Sequence, residues 1–290
     1  MVSYQSIWRT LLLVASLALS GGVHSQPAAA KQTKPLSTAK AAKPAPELEA
    51  KALDVLRAMS GRLAAARSMS FTSVVTHESP SRIGPVLAYM TKSEVQMQRP
   101  DKLRVLTLGD GPASEFYFDG KTMTAFAPAE NLAAVAPAPS TIDAMLKLVF
   151  DSAAIYFPFA DVIAADPYET IVGAMTVAFY IGQSNVVGGT TTDMVAIASD
   201  SMFVQIWVGA DDKLPRMMRA TFRGDPLRLR HQMELSDWKL DPVLAEQAFT
   251  SLNAANAKKV AFAAPQPLAA PVKKAPARSK ASLASTSKQQ

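Results

Sequence analysis

The 290-residue chain contains no cysteine, and this absence removes several classes of site at once. Disulfide frameworks, thiolate metal sites, cysteine nucleophiles and a lipid-modified N-terminal cysteine are all excluded. Histidine is scarce, with three in the chain. His77 and His231 lie far apart in the sequence, and neither has a metal-ligand spacing such as H-x-x-x-H. We therefore expect no metal and no cofactor.

Motifs for catalysis are also missing. The sequence has no G-x-S-x-G elbow, no Walker loop and no G-x-G-x-x-G, and Gly188-Gly189 is typical of a hairpin turn. Asp211-Asp212 lies in a turn after Gly209, where aspartate usually forms the turn rather than binding a cation. Nothing singles out a pair of carboxylates for glycoside chemistry. We predict a binding protein rather than an enzyme.

Acidic residues are absent from both ends of the chain. Residues 1–46 and 257–290 hold twelve of the 30 lysines and arginines and none of the 24 acidic residues. The segment between them therefore carries 18 basic and 24 acidic residues, a net charge of −6. A nucleic-acid-binding domain would place its basic charge on a folded face with interleaved aromatics. We predict no nucleic-acid partner.

Residues 1–25 have the features of a secretory signal peptide. Arg9 supplies the positive region, Leu11 to Leu19 the apolar region, and Val23-His24-Ser25 a small-residue cleavage pattern. An uncleaved membrane anchor is the alternative, but the apolar run is short for a membrane span. We predict export to the periplasm with cleavage near Ser25.

Two segments of low complexity flank the predicted fold. Residues 26–46 and 263–290 are rich in Ala, Pro and Lys, without apolar periodicity, and are predicted to be disordered. They are either solvated spacers or weak electrostatic contacts with anionic envelope surfaces. The segment between them, residues 47–262, is the predicted folded domain.

Within that domain, period-2 alternation is strongest between Met202 and Leu240. Leu227, Leu229, His231, Met233 and Leu235 alternate with polar residues, as in a strand with one wet face and one dry face. A helix is predicted from about Glu47 to Arg67, and a helical insertion follows Ser140-Thr141. The insertion is a candidate lid over the sheet. The remaining strands are predicted at 68–77, 86–98, 103–108, 114–118, 121–126, 131–135, 176–183, 191–198 and 259–262.

Several short motifs occur in an order that resembles a known family. They are Arg99-Pro100-Asp101-Lys102-Leu103-Arg104-Val105, Phe116-Tyr117-Phe118-Asp119-Gly120-Lys121-Thr122, Gln205-Ile206-Trp207-Val208, Leu214-Pro215-Arg216 and Leu235-Ser236-Asp237-Trp238. They are similar to a bacterial family of predicted periplasmic proteins without assigned function, domain of unknown function 2092. That family resembles the periplasmic lipoprotein carriers, the outer-membrane lipoprotein receptors and the sensor domain of an envelope-stress regulator.

The resemblance implies an α+β fold, an open (half) antiparallel β-barrel wrapped around helices with a hydrophobic cavity between them. It also implies a non-enzymatic protein that binds the acyl chain of a lipid or lipoprotein. The alternative is a regulator or scaffold whose barrel binds another envelope protein. No functional residue set is carried over.

Methionine is abundant on the predicted strands and lid, where it either fills the core or adapts to a ligand. His231 is either a structural residue or a polar contact at the rim of the cavity. The inward face of the segment Met202 to Val208 is undetermined, because both faces are apolar. The predicted ligand-binding residues are Phe126, Met145, Val149, Phe150, Trp207, Met218, Phe222 and Met233.

Overall fold

The structure is a computed structural model that describes residues 47–263. The predicted signal peptide and linker, residues 1–46, and the basic tail from residue 264 onward lie outside the described residues. Within the described part the helices are α1 (Ala50–Ala65), α2 (Ile142–Ala153), α3 (Ala160–Ile163), α4 (Pro167–Val172) and α5 (Leu252–Asn256). The strands are β1 (Ser68–Ser79), β2 (Leu87–Gln98), β3 (Lys102–Gly109), β4 (Ser114–Phe118), β5 (Thr122–Ala127), β6 (Leu132–Pro137), β7 (Val177–Ser184), β8 (Thr192–Ala198), β9 (Met202–Gly209), β10 (Pro215–Phe222), β11 (Arg230–Leu240) and β12 (Lys258–Val260).

All of these strands belong to one sheet. Its order is β12-β6-β5-β4-β3-β2-β1-β11-β10-β9-β8-β7. Neighbouring strands are antiparallel except for the edge strand β12, which runs parallel to β6. The other edge is β7, so the sheet is open. Helices α2, α3 and α4 lie between β6 and β7 in the chain. The predicted α+β open barrel is confirmed, as is the helical insertion.

Helix α1 forms because apolar residues recur at helical spacing. Ala52, Leu56, Met59 and Leu63 are fully buried and give the helix one continuous apolar stripe. The stripe packs against β7, β8 and α4. The segment before the helix joins the sheet, since Glu49 N donates to the carbonyl of Ala178 at 2.9 Å. This contact covers part of the β7 edge.

The core lies between the inner face of the sheet and the helices. Alternate residues on each strand face it, such as Met69, Phe71 and Val75 on β1. The helical insertion supplies the opposite side, including Phe159, whose ring meets Phe71 edge-on at 5.6 Å between centroids. The insertion therefore covers part of the inner face, as the predicted lid would.

Helix α2 begins at a side-chain cap. The hydroxyl of Thr141 accepts a hydrogen bond from Ala144 N at 3.3 Å, which satisfies a backbone donor of the first turn. Ile142, Met145 and Val149 are buried along the inner side of the helix. The predicted helix and cap are confirmed, with Thr141 rather than Ser140 as the cap.

The turn between β4 and β5 differs from the prediction. The predicted strands 114–118 and 121–126 leave Asp119 and Gly120 as a two-residue turn, but Asp119 N donates to Thr122 O, so Gly120 and Lys121 form the turn. The reason is the Asp119 carboxylate, which accepts hydrogen bonds from the backbone of both Lys121 and Thr122. Gly120 has a φ of +90°, which favours glycine.

Two further boundaries also differ from the prediction. Strand β11 begins at Arg230 instead of Leu227, because the Asp225 carboxylate accepts hydrogen bonds from Leu227 N and Leu229 N and holds these residues in a turn. Helix α5 was not predicted. It is short and begins at Ser251, whose hydroxyl accepts from Ala254 N at 3.1 Å.

A bulge in β11 changes which residues face the core. The register with β1 shifts near Asp237, whose φ is +56°. Trp238 consequently stacks on Phe71 with 4.5 Å between ring centroids, and its indole N–H donates to Pro215 O at 3.0 Å. Without the bulge, the alternation of β11 would point Trp238 away from the core; with it, Trp238 packs against the core.

Arg99 joins three segments of the chain. Its guanidinium donates to Ala66 O after α1 at 3.2 Å and to Ala164 O after α3 at 2.9 Å, while Arg99 itself follows β2. Burial lowers the pKa of this guanidinium, and the charge of Asp143 raises it. Hydrogen bonds from a charged donor in such a half-buried setting are among the stronger ones.

We expect Arg99→Met to lower the free energy of unfolding by about 1.5–3 kcal/mol, because two carbonyl groups lose a charged donor. The matched control is Arg62→Met, on the exposed side of α1, with an expected change within about 0.5 kcal/mol. Urea unfolding followed by circular dichroism measures both. Equal stabilities of the two variants would contradict this role of Arg99.

Candidate ligand-binding cavity

A cavity of 370 Å³ lies on the inner face of the sheet at the β3–β6 side. Its walls are the inner faces of β3 to β6, the chain at the C-terminal end of α2, and the C-terminal segment 260–263. Most lining side chains are aliphatic or aromatic, and exposed residues such as Ser114 and Ala261 border its mouth. The volume falls in the range of small-molecule sites. The lining residues are Val105, Thr107, Ser114, Glu115, Phe116, Ala125, Phe126, Ala127, Leu132, Ala134, Ala153, Ile155, Phe157, Val260, Ala261, Phe262 and Ala263.

The cavity remains unfilled because several of the side chains around it are small. Ala125 and Ala134 are paired across β5 and β6 on the inner face, where larger residues would fill the volume. On the opposite wall, Ala153 ends α2. Phe116 and Phe157 close the inner end with ring centroids 5.2 Å apart in an edge-on arrangement. Alanine on two walls and aromatic rings at the end together shape the cavity.

The end of α2 positions one wall. Ala154 has a φ of +53°, and its N–H donates to Phe150 O at 3.1 Å, which is the hydrogen bond of an αL helix cap. The chain therefore turns sharply after the helix and brings Ile155 and Phe157 to the cavity. The C-terminal wall is held by β12, where Lys258 N donates to Asn131 O at 3.0 Å.

Hydroxyl groups border the cavity on one side. The Thr107 and Ser93 hydroxyls are 2.9 Å apart and share a hydrogen bond. Ser73 is the cross-strand neighbour of Ser93, and its buried hydroxyl has no hydrogen-bond partner among the described residues. With Ser114 opposite Thr107, these residues form a row across four strands, β1 to β4. The row gives an otherwise apolar region of the inner face a polar margin.

Beyond the hydroxyl row the inner face continues onto β10 and β11. Met218 and Met233 are directly opposite one another across these strands. Phe222 meets His231 edge-on at 5.4 Å between ring centroids. Met233 is buried, Met218 is half-buried and Phe222 is exposed, so the cover over this face decreases toward the end of the strands. This second apolar region lies on the same face as the cavity, with strands β2 and β1 between the two.

The predicted ligand-binding residues are therefore divided among several places. Phe126 borders the cavity between Ala125 and Ala127, but alternation places its side chain on the outer face of β5, where it packs with Ala133, Ala254 and Ala257. Met145 and Val149 are fully buried in the core, and Phe150 is 58% exposed on the outer side of α2, where its ring meets Tyr156. Met218, Phe222 and Met233 share the β10–β11 face. Their contact with a ligand stays a prediction.

The neighbours of Trp207 in β9 show which face of the sheet its side chain lies on. Val204, Ile206 and Val208 belong to the core, so alternation places Trp207 on the outer face. It lies between Met194 of β8 and Met217 of β10. Trp207 is therefore outside the cavity, and sequence periodicity missed this because β9 is apolar on both sides.

The two histidines that the sequence separates are neighbours in the fold. His77 and His231 are paired across β1 and β11, with 6.3 Å between ring centroids. The Tyr89 ring stacks on His77 at 5.6 Å. The separation of the two histidines along the sequence does not reveal this pair, because it does not show that β1 lies beside β11. Among the described residues, no group of three or more His, Asp or Glu is placed to hold a metal.

The profile of the family described as predicted periplasmic protein (DUF2092) matches residues 52–263. The chain belongs to this family. The match extends from α1 to the C-terminal wall of the cavity. A search of curated protein sequences found no significant match.

Solved structures resemble this DUF2092 protein only at low identity. The MucA/MucB complex from Pseudomonas aeruginosa is 15% identical, with 70% of this chain and 61% of that chain covered and a TM-score of 0.40. LprF from Mycobacterium bovis is 16% identical, with coverage of 69% and 97% and a TM-score of 0.42. A LolA superfamily protein from Nitrosomonas europaea is 11% identical, with coverage of 68% and 97% and a TM-score of 0.29.

The DUF2092 chain thus spans less than two thirds of MucB. No helix within residues 47–263 has both the length and the apolar character needed to cross a bilayer.

The histidine pair makes stability depend on pH. Burial lowers the pKa of His231, His77 lowers it further, and Asp225 and Glu78 act in the opposite direction. The unfolded chain, with the ordinary histidine pKa of 6.5, therefore binds this proton more readily than the folded protein. The stability that the neutral His231 contributes is therefore fully present above pH 6.5, the pKa of the unfolded state, and is lost as the pH falls through the lowered pKa of the folded state.

We expect the melting temperature to fall less between pH 7.5 and pH 5.5 in His231→Gln than in the wild type, because the variant lacks this titration. Gln232→Ala, the next residue on the opposite face of β11, is the control and should follow the wild-type pH dependence. Differential scanning calorimetry measures all three. The same pH dependence in His231→Gln as in the wild type would contradict the linkage.

Proposed function

We propose that this DUF2092 protein is a non-enzymatic periplasmic binding protein that holds the acyl chain of a lipid or lipoprotein in the 370 Å³ cavity. The observation that supports it is the composition of the walls, where alanine, valine, leucine, isoleucine and phenylalanine predominate. An apolar concavity of this size between a sheet and the end of a helix suits an acyl chain better than a polar metabolite.

The free energy available to such a complex is sufficient for reversible binding. Burying an acyl chain contributes about 0.8 kcal/mol per CH₂, so about ten buried CH₂ groups contribute ~8 kcal/mol before losses. That value corresponds to a dissociation constant of about 1 μM. The hydroxyls of Thr107 and Ser114 at the cavity supply hydrogen-bonding groups for the polar end of the ligand.

The cellular setting in the proposal comes from the family description and from the termini. Export uses residues 1–25, with cleavage near Ser25. The basic segments 26–46 and 263–290 make weak electrostatic contacts with anionic envelope surfaces. No nucleic acid is a partner, since the basic charge is concentrated at the termini.

A second candidate function is a regulator or scaffold that binds another envelope protein. The observation that favours it is the edge strand β7, where Phe179 and Ile181 are exposed. An exposed strand edge with apolar side chains can accept a strand from a partner. Within the described residues, Leu48 pairs with this edge at Ala178 and the Glu49 carboxylate accepts from Tyr180 N at 2.8 Å, so the part of β7 beyond Tyr180 is available to a partner.

The cavity can be tested by filling it. We expect Ala134→Phe to weaken binding of the fluorescent acyl probe dansyl-undecanoic acid roughly tenfold, because the ring occupies ligand space. Ala64→Phe, on the exposed side of α1, is the matched control and should bind as the wild type does. Fluorescence titration gives the dissociation constants, and circular dichroism verifies folding. Unchanged binding in Ala134→Phe would contradict ligand binding in this cavity.

A second pair of variants asks whether the ligand extends onto β10. Met218→Glu and Phe222→Glu place a charge on the predicted β10–β11 surface, which is expected to weaken binding because the ligand would desolvate the carboxylate. The same titration measures the effect. Wild-type affinity in both variants would restrict the ligand to the β3–β6 cavity and exclude these two residues from the site.

A further inference from the structure

Two hairpin tips lie side by side at one end of the sheet. The β1–β2 tip is residues 80–86, and the β10–β11 tip is residues 223–229. Strands β1 and β11 pair as far as His77 and His231, and the Glu78 carboxylate accepts from Arg230 Nε at 2.7 Å. The ion pair joins the bases of the two tips, so they point in the same direction. We call these two segments together the rim.

The rim exposes apolar side chains that the fold does not use. Ile83 is 88% exposed and Leu227 is 56% exposed, and Val86 is also exposed. Side chains this apolar gain free energy when they leave water. These three side chains on adjacent tips form an exposed apolar surface that suits a fluid apolar environment, because each tip can insert independently and needs no preformed pocket.

The charge of the rim is opposite to that of the domain that carries it. Arg82, Arg223 and Arg228 are exposed on the tips, and one acidic residue, Asp225, accompanies them, which gives a net charge of +2. Asp225 is occupied by backbone hydrogen bonds within its turn. Asp110 in the β3–β4 turn, Glu130 in the β5–β6 turn and Asp200 in the β8–β9 turn are further acidic groups at this end of the sheet, and Asp110 accepts a hydrogen bond from Met90 N at 2.6 Å. The net charge of residues 47–256 is −6.

We propose that the rim docks this protein on an anionic phospholipid surface, with Ile83, Val86 and Leu227 entering the interface and Arg82, Arg223 and Arg228 contacting lipid phosphates. A basic ring around apolar tips suits the boundary between headgroups and acyl chains. An acidic protein would satisfy the arginines but would leave two highly exposed apolar tips without a partner. The bilayer therefore accounts for both features.

The rim is also continuous with the ligand-binding face. Tyr89, close to the β1–β2 tip, is four residues from Ser93 on the same face of β2, a distance of about 13 Å. Ser93 hydrogen-bonds to Thr107 of the cavity wall. A docked rim therefore places the uncovered inner face next to the bilayer. Docking itself goes beyond the proposed function, since it does not require a ligand in the cavity.

Vesicle co-sedimentation of the full mature chain tests the proposal, so that the basic termini are present in every variant. We expect the wild type to bind vesicles of 30% phosphatidylglycerol and 70% phosphatidylcholine, and to bind pure phosphatidylcholine much more weakly. The double variant Ile83→Asp/Leu227→Asp and the triple variant Arg82→Gln/Arg223→Gln/Arg228→Gln should each bind the anionic vesicles roughly tenfold more weakly.

The matched control is Val186→Asp/Val243→Asp, which makes the same charge change at the opposite end of the sheet. Val186 is 85% exposed and Val243 is fully exposed, so neither substitution disturbs the core. The control should retain at least half of wild-type binding. Equal losses in the rim and control variants, or wild-type binding in the rim variants, would overturn the proposal.

A spectroscopic measurement distinguishes insertion from simple attraction. Tryptophan placed at the tip by Ile83→Trp should be quenched by brominated phosphatidylcholine in the anionic vesicles, whereas tryptophan in Val186→Trp should not. Both variants keep the charge of the wild type and alter an exposed position. Equal quenching of the two would overturn insertion by the rim. None of these readouts depends on the cavity, so failure here leaves the acyl-binding proposal to its own titration.

Discussion

One apolar sheet face that the chain covers only in part is the constraint on which the rest of the structure depends. An open antiparallel sheet must bury its inner face against something, because apolar surface left in water is unfavourable. Helices α1 to α4 bury much of the face, through residues such as Leu56, Met145 and Phe159. Small residues on β5 and β6 leave a cavity, and the ends of β10 and β11 remain open.

The geometry of cover explains where binding can occur. Where α2 ends, the chain turns at Ala154 and the helix no longer fills the space above the sheet. The C-terminal segment closes the far side by adding β12 parallel to β6. The cavity is therefore formed by three separate parts of the chain, the early strands, the helical insertion and the C-terminal segment. Its shape depends on the whole domain rather than on a local motif.

Much of the fold could be predicted from the sequence, because alternation and helical spacing are local. Helix α1, the insertion and most strand boundaries follow from such patterns, and the family resemblance supplied the open barrel. Other features depend on pairing between distant strands. The contact of His77 with His231 requires that β1 lies beside β11. The inward turn of Trp238 requires the bulge at Asp237.

The candidate site was harder to predict than the fold. Bulky residues such as Phe150 and Trp207 were expected to line it, but a cavity exists where side chains are small, so Ala125 and Ala134 mark it instead. Alanine in a strand carries no local signal for this role. Methionine did indicate the inner face of β10 and β11, since Met218 and Met233 face each other there.

The central claim is that the uncovered part of the inner face accommodates a molecule from the envelope. Native mass spectrometry of the protein purified from its own envelope under gentle conditions measures this most directly. We expect a bound species with the mass of a lipid or an acylated peptide, released on mild activation. Protein that is uniformly unliganded in such a preparation would contradict it.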